Sequence, residues 1–313
     1  MKRTWFFTLL IALPGPSSAQ FVIGVRDSLA QRVDHVFAAF DRTNGPGCAV
    51  GVYRDGRVLY ARGYGMANLE LGTAITPRTA FNIGSVTKMF TASAVVLLAL
   101  DGKLSLDDPI SKYFPEMPPY ASGIKVRQLL NHTAGLREYF RLIRLAGISS
   151  NLGGPPDFVR LITRSTNTNF PPGTRTEYSN SAYVLAGELV ARVSGRSLGT
   201  FLEERIFDPL GMNDTHLMEN HRVPIPGRAQ GYDERSHIIL WAIDRGGDGG
   251  LWTTVEDLAR WDHNWQTGAV GGRALTDSLK VRVMIRNDST IGAGLGGSFS
   301  LHRGLWYYTK DGE

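Results

Sequence analysis

Cysteine is almost absent from this sequence. Of the 313 residues only Cys48 carries a thiol, so an internal disulfide is excluded. The neighbours of Cys48 in the segment 47–52 are small or apolar, which favours a small buried residue over a nucleophile. The chemistry of the chain must therefore rest on other side chains.

Concentrated charge of one sign is also missing. The chain has 34 Lys and Arg against 29 Asp and Glu, a formal net charge of +5, and its basic residues are scattered rather than massed. A nucleic-acid partner would require a basic patch or stripe, so none is expected. His216 and His221 have no carboxylate or cysteine at metal-ligand spacing, so we expect no metal site and no cofactor.

Apolar runs long enough to cross a membrane are lacking too, since a span needs about 20 residues. The N-terminal run at 5–12 follows Lys2 and Arg3 and leads to a small-residue cleavage site. This order predicts a secretory signal peptide at residues 1–19, cleaved near Ala19. The mature chain would then be exported, periplasmic or secreted, and without a transmembrane segment. A buried N-terminal helix is the alternative interpretation.

A Gly-x-Ser-x-Gly elbow is absent as well, which excludes a nucleophile of the α/β-hydrolase type. The chain instead holds Ser85 and Lys88, in Ser-Val-Thr-Lys, ahead of an apolar run at 89–100. This run predicts a buried helix that ends at Gly102, with Lys88 one turn beyond Ser85 on the same face. A hydroxyl beside an amine at a helix N-terminus is typical of a serine acyl-transfer enzyme. A second Ser-x-x-Lys at 122–125 precedes no long apolar helix and is interpreted as chance.

Predicted strands lie near both ends of the chain, and the middle is helical. A one-faced helix at 27–40 and a hairpin around Asp55-Gly56 precede Ser85. Strands return at 291–301 and 305–310. Between them the apolar spacing and the capping residues predict helices at 157–163, at 181–193, at 198–207 with Asp208-Pro209 as its end, and at 255–265 with Thr254 as its N-cap.

This order predicts an α/β (α+β) fold in which an antiparallel sheet is flanked by helices. Residues 21–85 and 270–313 would form one α/β lobe, and residues 86–269 an inserted all-helical lobe. Together they would make one domain at 20–313. Ser85 would lie at the seam, where ligand clefts tend to form.

Two further segments could complete a site at Ser85. Tyr178-Ser179-Asn180 follows a Pro-Gly loop, and two nearby ammonium groups would lower the pKa of the phenol. Lys310-Asp311-Gly312 ends the last predicted strand, where a cation could anchor a substrate carboxylate and a glycine would let a ligand approach the backbone. Taken singly, the first suits a buried tyrosine beside an N-cap and the second a polar chain end.

The order and spacing of the three motifs resemble the serine β-lactamase and penicillin-binding protein superfamily. The resemblance is to the branch of class C β-lactamases, D-alanyl-D-alanine carboxypeptidases and esterases, and it covers residues 30–312. Four other segments carry it: Leu-Leu-Asn-His-Thr-Ala-Gly-Leu at 129–136, Pro-Gly-Thr through Asn at 172–180, Pro-Leu-Gly-Met at 209–212, and Gly-Gly-Leu-Trp-Thr-Thr at 249–254. The fold it implies is β-lactamase/transpeptidase-like.

The resemblance implies a role for each catalytic candidate. Ser85 would be the nucleophile that forms an acyl-enzyme. Lys88, desolvated near a helix N-terminus, would have a lowered pKa and accept the serine proton. Tyr178 would act as base or relay together with Lys88. His132 is interpreted as a structural hydrogen-bonding residue beside the cleft.

The resemblance also implies how a substrate would bind. Asn180 would hold the substrate amide, Lys310 would supply the cation of the third motif, and Gly312 would allow close approach. The oxyanion hole would use the backbone N–H groups of Ser85 and Glu313. The substrate would be a small molecule or a peptidoglycan-derived compound.

Two departures from the family pattern bear on function. Asp311 stands where β-lactamases have Thr, and its charge should hinder an antibiotic carboxylate. The sequence ends at Glu313, where the family continues with further strands and a C-terminal helix, so we expect a fragment of a longer chain.

The expected function is an exported serine hydrolase acting on an ester, a D-Ala-D-Ala-type amide or a β-lactam. The alternatives are a penicillin-recognising or peptidoglycan-binding protein with little turnover, and an inactive fragment.

Overall fold

The structure is a computed structural model that describes residues 27–147, 154–239, 244, 246–283 and 294–312. The predicted signal peptide and Glu313 lie outside these residues. The helices are α1 (Asp27–Phe37), α2 (Thr87–Leu100), α3 (Val126–Leu130), α4 (Tyr139–Leu145), α5 (Pro155–Thr163), α6 (Asn180–Ser194), α7 (Leu198–Leu202), α8 (Asp208–Leu210), α9 (Val255–Thr267) and α10 (Gly272–Leu279). The strands are β1 (Cys48–Arg54), β2 (Arg57–Tyr64), β3 (Met66–Asn68), β4 (Thr73–Ala74), β5 (Phe81–Asn82), β6 (His216–Leu217), β7 (Gly231–Tyr232), β8 (Ile238–Ile239), β9 (Leu251–Thr253), β10 (Ser298–His302) and β11 (Leu305–Thr309).

Two antiparallel hairpins lie near the ends of the chain, as the sequence predicts. In the first, β1 pairs with β2 across a turn in which Asp55 and Gly56 have φ of 51° and 71°. Two successive residues with positive φ form the turn that matches the twist of a hairpin. The second pairs β10 with β11. Residues 291–293 of its predicted first strand lie outside the described residues, and residues 294–297 form a bend rather than strand, so β10 begins at Ser298.

A short three-stranded sheet leads the chain to Ser85. Its central strand is β9, with β5 on one side and β6 on the other. Asn82 pairs with Trp252, and the Asn82 side chain accepts a 2.8 Å hydrogen bond from the backbone N–H of Gly84. The segment 249–254 singled out from the sequence therefore lies directly beside the approach to Ser85.

Helix α2 lies at the centre of the helical part. Nearly all its side chains are buried, and α6, α7 and α10 pack around it. A short 3₁₀ turn that contains Ser85 precedes α2, and Gly102, with φ of 70°, follows its end. The buried apolar helix predicted from the run at 89–100 is confirmed.

One predicted helix end is wrong. The helix that begins at Leu198 continues past residue 207 through a π-helical turn and α8, and it stops at Gly211. Pro209 does not break the helical path, because the hydrogen-bond pattern changes at the π-helical turn and Pro209 lies in the first turn of the new segment, α8. A proline there lacks only an N–H that has no intrahelical partner. The predicted helix at 255–265 is confirmed as α9, with Thr254 as its N-cap.

The strand pairs of the described residues are antiparallel and are combined with many helices, in agreement with the predicted fold class. No helix in the described segments has both the length and the apolar character needed to cross a bilayer.

A buried carboxylate anchors the first turn of α9. Asp257 is 1% exposed, and its side chain accepts hydrogen bonds from the Asp214 N–H (2.9 Å), the Thr215 hydroxyl (2.7 Å) and Arg260 (2.9 Å). Its own N–H donates to the Thr254 cap at 3.0 Å. This one side chain therefore ties α9 to the loop before β6.

We expect Asp257→Ala to lower the free energy of unfolding by about 2–3 kcal/mol, because it leaves buried donors without acceptors. Urea unfolding followed by circular dichroism measures the change. Asp277→Ala, at an exposed position of α10, is the matched control and should stay within about 0.5 kcal/mol of wild type. Equal losses in the two variants would contradict this account of α9.

Candidate active site

Three of the side chains predicted from the sequence meet at one point. Lys88 Nζ donates to Ser85 Oγ at 3.0 Å, and the Tyr178 hydroxyl donates to the same oxygen at 2.6 Å. Ser85 and Lys88 come from the start of α2, where a spacing of three residues puts both on one face. Tyr178 comes from the loop ahead of α6 and approaches from the other side.

Lys88 is completely buried, yet it is surrounded by acceptors. Besides Ser85 Oγ, its Nζ donates to Asn180 Oδ1 at 2.8 Å and to the backbone oxygen of Asp248 at 2.7 Å. It also lies 4.9 Å from the centre of the Tyr178 ring, a cation–π distance. These contacts offset the loss of hydration that burial of an amine requires.

Tyr178 is 48% exposed, and its ring is held between neighbours. His132 lies 4.6 Å away, ring centre to ring centre, and Lys310 Nζ lies 5.3 Å from the ring centre. Burial, followed by the charges of Asp248, Asp311 and other carboxylates, raises the pKa of the phenol, against the hydrogen bond to Ser85, which lowers it. The expectation that ammonium groups lower this pKa is therefore wrong, because burial and carboxylates outweigh them.

The His132 ring packs against the ring of Tyr178. His132 is uncharged near neutral pH, because its pKa is lowered. Its Nδ1 accepts a 3.2 Å hydrogen bond from the Ser179 N–H, and its backbone has a positive φ of 63°. Burial, with the charges of Lys88 and Lys310, lowers the pKa of His132 to about 3. The prediction of a hydrogen-bonding residue beside the cleft fits this position.

Asn180 is the first residue of α6, and both ends of its side-chain amide have protein partners. Its Oδ1 accepts from Lys88, while its Nδ2 donates to Glu138 Oε1 at 3.3 Å. The backbone N–H of Asn180 donates to Glu138 Oε2 at 2.9 Å. The sequence assigned this amide to the substrate, and the structure places it between a lysine and a carboxylate.

Two carboxylates of the site were not predicted from the sequence. Glu138 precedes α4, and Asp248 lies in the glycine-rich loop that leads to β9. Asp248 is fully buried, and its Oδ2 accepts from the Tyr139 hydroxyl at 2.9 Å. The loop lies close to α6 because residue 247 is a glycine: a Cβ there would be 2.4 Å from the oxygen of Tyr183. The only sequence signal was the run of glycines, since an isolated acid predicts nothing.

The third motif lies against the segment that carries Ser85. A Cβ on Gly312 would be 2.0 Å from the backbone oxygen of Ile83 and 2.9 Å from the Ser85 nitrogen. The Lys310 side chain is only 8% exposed, and burial lowers its pKa, against the nearby charge of Asp311. The Asp311 carboxylate points to solvent, 3.6 Å from Lys310 Nζ. The structure thus brings Lys310 and Gly312 to the site, while Glu313 lies outside the described residues.

The second Ser-x-x-Lys forms no site. The Ser122 hydroxyl donates to the backbone oxygen of Pro119 at 2.8 Å, and Lys125 forms an exposed ion pair with Asp107 at 3.1 Å. Both side chains therefore have partners outside the motif, as the interpretation as chance expects.

The arrangement around Ser85 suits acyl transfer. A nucleophile needs a group that takes its proton and another that supplies one to the leaving atom. An amine and a phenol both lie within hydrogen-bond distance of the Ser85 hydroxyl.

Comparison with known proteins agrees with this geometry. The family model described as Beta-lactamase matches residues 31–313. A D-aminopeptidase of Brucella anthropi is 34% identical over 226 residues, which are 70% of this chain and 42% of that protein. A D-aminopeptidase of Gluconobacter oxydans is 30% identical over 75% of this chain and 45% of its own length. The chain thus spans less than half the length of these curated relatives.

Two solved structures are similar over most of the chain. The octameric penicillin-binding protein homologue from Pyrococcus abyssi is 25% identical with a TM-score of 0.74, over 89% of this chain and 66% of that one. The D-amino acid amidase from Ochrobactrum anthropi SV3 is 26% identical with a TM-score of 0.68, over 85% of this chain and 77% of that one. By the match over residues 31–313 and by its fold, the chain belongs to the β-lactamase family, the serine hydrolase family that includes β-lactamases and penicillin-binding proteins.

Proposed function

We propose that the protein hydrolyses its substrate through an acyl-enzyme on Ser85. The observation that carries the proposal is the pair of hydrogen bonds at Ser85 Oγ, 3.0 Å from Lys88 Nζ and 2.6 Å from the Tyr178 hydroxyl. A serine hydroxyl is a weak nucleophile until a neighbouring base takes its proton. The buried lysine is suitably placed to be that base.

In the proposed acylation Lys88 reacts in its deprotonated form, which directs its lone pair at Ser85 Oγ in place of one N–H. Ser85 Oγ attacks the substrate carbonyl carbon while the hydroxyl proton of Ser85 passes to this amine. The raised pKa of Tyr178 keeps the phenol protonated near neutral pH, so Tyr178 donates its proton to the leaving group. Proton transfer from Lys88 restores the phenol. Water then cleaves the acyl ester, and the Ser85 hydroxyl is regenerated.

The developing oxyanion would bind to backbone N–H groups. One is the N–H of Ser85, and the other would come from Glu313. Gly312 fits this assignment, because its missing side chain leaves space beside the Ser85 nitrogen. Lys310 would hold the carboxylate of a peptide substrate that has one. Asn180, which already binds Lys88, would contact the substrate amide with its remaining N–H.

The substrate that we favour is an amide of a D-amino acid with a free amino group. Relatives named D-aminopeptidase and D-amino acid amidase support it. The exposed carboxylate of Asp311, close to Tyr178, also suits a substrate that carries a positive charge. An ester or a D-Ala-D-Ala-type amide remains compatible, and Asp311 argues against an efficient β-lactamase.

A penicillin-binding protein with little turnover is the second candidate, and the similarity to the penicillin-binding protein homologue favours it. Stable labelling of Ser85 by a fluorescent penicillin without release of product would distinguish this candidate from a hydrolase.

We also propose that the protein is exported and that residues 20–313 form one hydrolase domain built from two lobes. The charge, apolar run and small residues of the segment 1–19 support export. Cell fractionation of the full chain, with and without residues 2–19, tests it.

We expect Ser85→Ala to lower kcat for short p-nitrophenyl esters by at least ~10³-fold, because the nucleophile is lost. Steady-state kinetics measure the loss, and mass spectrometry should find a trapped acyl group on Ser85 of the wild type. Ser122→Ala, in the second Ser-x-x-Lys, is the matched control and should retain wild-type rates. Equal rates for wild type and Ser85→Ala would refute the proposed nucleophile.

For the substrate, we expect D-alanine p-nitroanilide to be cleaved with a kcat/KM at least ~10-fold above that of its L enantiomer and of its N-acetyl derivative. Acetylation removes the positive charge of the substrate amine, which the exposed Asp311 carboxylate would bind. Release of p-nitroaniline measures the three rates. A chromogenic cephalosporin hydrolysed more efficiently than all of them would favour a β-lactamase instead.

Gly312→Ala should lower kcat by about 10²-fold, since the added methyl group would displace the chain from the Ser85 nitrogen. Gly123→Ala, whose added methyl group would have no neighbour within 4 Å, is the matched control. Ester hydrolysis by the two variants measures the difference, and equal rates would show that space beside Ser85 is unimportant.

A further inference from the structure

Glu138 binds Asn180, one of the residues that accept a hydrogen bond from Lys88. It is the residue directly before α4, and both of its carboxylate oxygens face the first residue of α6. Oε2 accepts from the Asn180 backbone N–H at 2.9 Å, and Oε1 accepts from the Asn180 side-chain Nδ2 at 3.3 Å. The carboxylate therefore accepts hydrogen bonds from both the backbone and the side chain of Asn180.

These two hydrogen bonds to Glu138 determine which end of the Asn180 amide faces Lys88. A carboxylate only accepts hydrogen bonds, so Nδ2 must turn towards Glu138 and Oδ1 towards the lysine. In that orientation Oδ1 accepts from Lys88 Nζ at 2.8 Å. In the reversed orientation the NH₂ group of Asn180 would face the Lys88 amine, donor to donor. The Asn180 oxygen would face the Glu138 carboxylate, acceptor to acceptor, so neither hydrogen bond could form.

The next residue along the chain holds another acceptor of Lys88. The Tyr139 hydroxyl donates to Asp248 Oδ2 at 2.9 Å, and the backbone oxygen of Asp248 accepts from Lys88 Nζ at 2.7 Å. Glu138 and Tyr139, two successive residues at the start of α4, therefore bind two residues that accept hydrogen bonds from Lys88. Glu138 binds Asn180, and Tyr139 binds Asp248. A further acceptor, Ser85 Oγ, is the atom that reacts in the proposed function.

We propose that Glu138 is a positioning residue for the reaction at Ser85, which orients the Asn180 amide and so holds Lys88 Nζ at the serine hydroxyl. This role rests on the proposed function, because it assumes that Lys88 exchanges a proton with Ser85. Glu138 would act through Asn180, to which both of its carboxylate oxygens are hydrogen-bonded.

The role depends on the ionised state of Glu138. Burial raises the pKa of its carboxyl, the hydrogen bonds from Asn180 lower it, and the charge of Asp248 raises it, with a raised pKa as the result. The ionisable groups near it include Asp248 on the glycine-rich loop and Tyr178 ahead of α6. Lys88 binds the opposite end of the Asn180 amide. The carboxylate is present above its raised pKa and gains a proton as the pH falls through it, so the orientation of Asn180 is lost on the acid side.

The test is a double-mutant cycle on ester hydrolysis with Glu138→Gln, Asn180→Ala and the double variant. We expect Glu138→Gln alone to lower kcat about tenfold with KM changed less than about twofold. In the Asn180→Ala background the same substitution should change kcat less than about twofold, because its target is gone. Glu188→Gln, farther along α6 in an ion pair with Arg192, is the matched control and should match wild type.

The pH profile provides a second readout. Glu138→Gln cannot titrate, so the acid limb of kcat/KM should move to lower pH, whereas a purely structural defect would lower the rate equally at every pH. Additive losses in the cycle, or an acid limb unchanged by Glu138→Gln, would overturn the role of Glu138.

The rate of Ser85 labelling by a fluorophosphonate separates the two proposals. Labelling of wild type and Glu138→Gln at the same rate would overturn the positioning role and leave the nucleophile intact. A wild-type protein that neither labels at Ser85 nor hydrolyses any ester would overturn the proposed function, and the positioning role with it.

Discussion

The burial of one amine is the constraint on which the rest of the site depends. Lys88 has no solvent exposure, because it lies at the start of a helix that is buried among apolar residues. An amine removed from water must recover its hydrogen bonds from the protein, or the fold is penalised by several kcal/mol. Its acceptors are Ser85 Oγ, Asn180 Oδ1 and the backbone oxygen of Asp248. Each comes from a different part of the chain, so satisfying Lys88 and assembling the site are the same event.

The acceptors of Lys88 explain the arrangement of the segments around it. Asn180 must begin α6 at the level of the lysine, and the glycine-rich loop must lie close enough to present its carbonyl. Glu138 and the Tyr139 hydroxyl, side by side at the start of α4, reach one of these segments each. The amine of Lys88 therefore lies one contact away from two carboxylates. Burial, together with the charges of nearby carboxylates, raises the pKa of the Tyr178 phenol and keeps it protonated near neutral pH. Tyr178 is therefore suited to give a proton, and the lysine to receive one.

The parts of the structure that the sequence predicted are local ones. Ser85 and Lys88 are three residues apart, and a helical start alone brings them together. The turn at Asp55-Gly56, the cap at Thr254 and the apolar run of α2 likewise depend on neighbours in sequence. Tyr178 and Lys310 were found only through their resemblance to family motifs. Glu138 and Asp248 were missed because their meaning comes from contacts with Asn180 and Lys88, 42 and 160 positions away in sequence. The sequence placed the helix end at residue 207 because Pro209 normally marks a helix end. The structure stays helical to Leu210 because a π-helical turn puts Pro209 in the first turn of α8, where proline is tolerated.

The same division between local and distant contacts has a consequence for how activity can be changed. The pair of Ser85 and Lys88 belongs to one rigid helix start, so changes elsewhere leave the distance between their backbones almost unaffected. What such changes alter is the environment of the amine, since its partners come from loops and helix ends that can shift separately. In a buried site the protonation of a base responds strongly to each neighbouring charge and each lost acceptor. We therefore infer that the rate of the proposed reaction depends strongly on the segments that hold the lysine, and not on the serine alone.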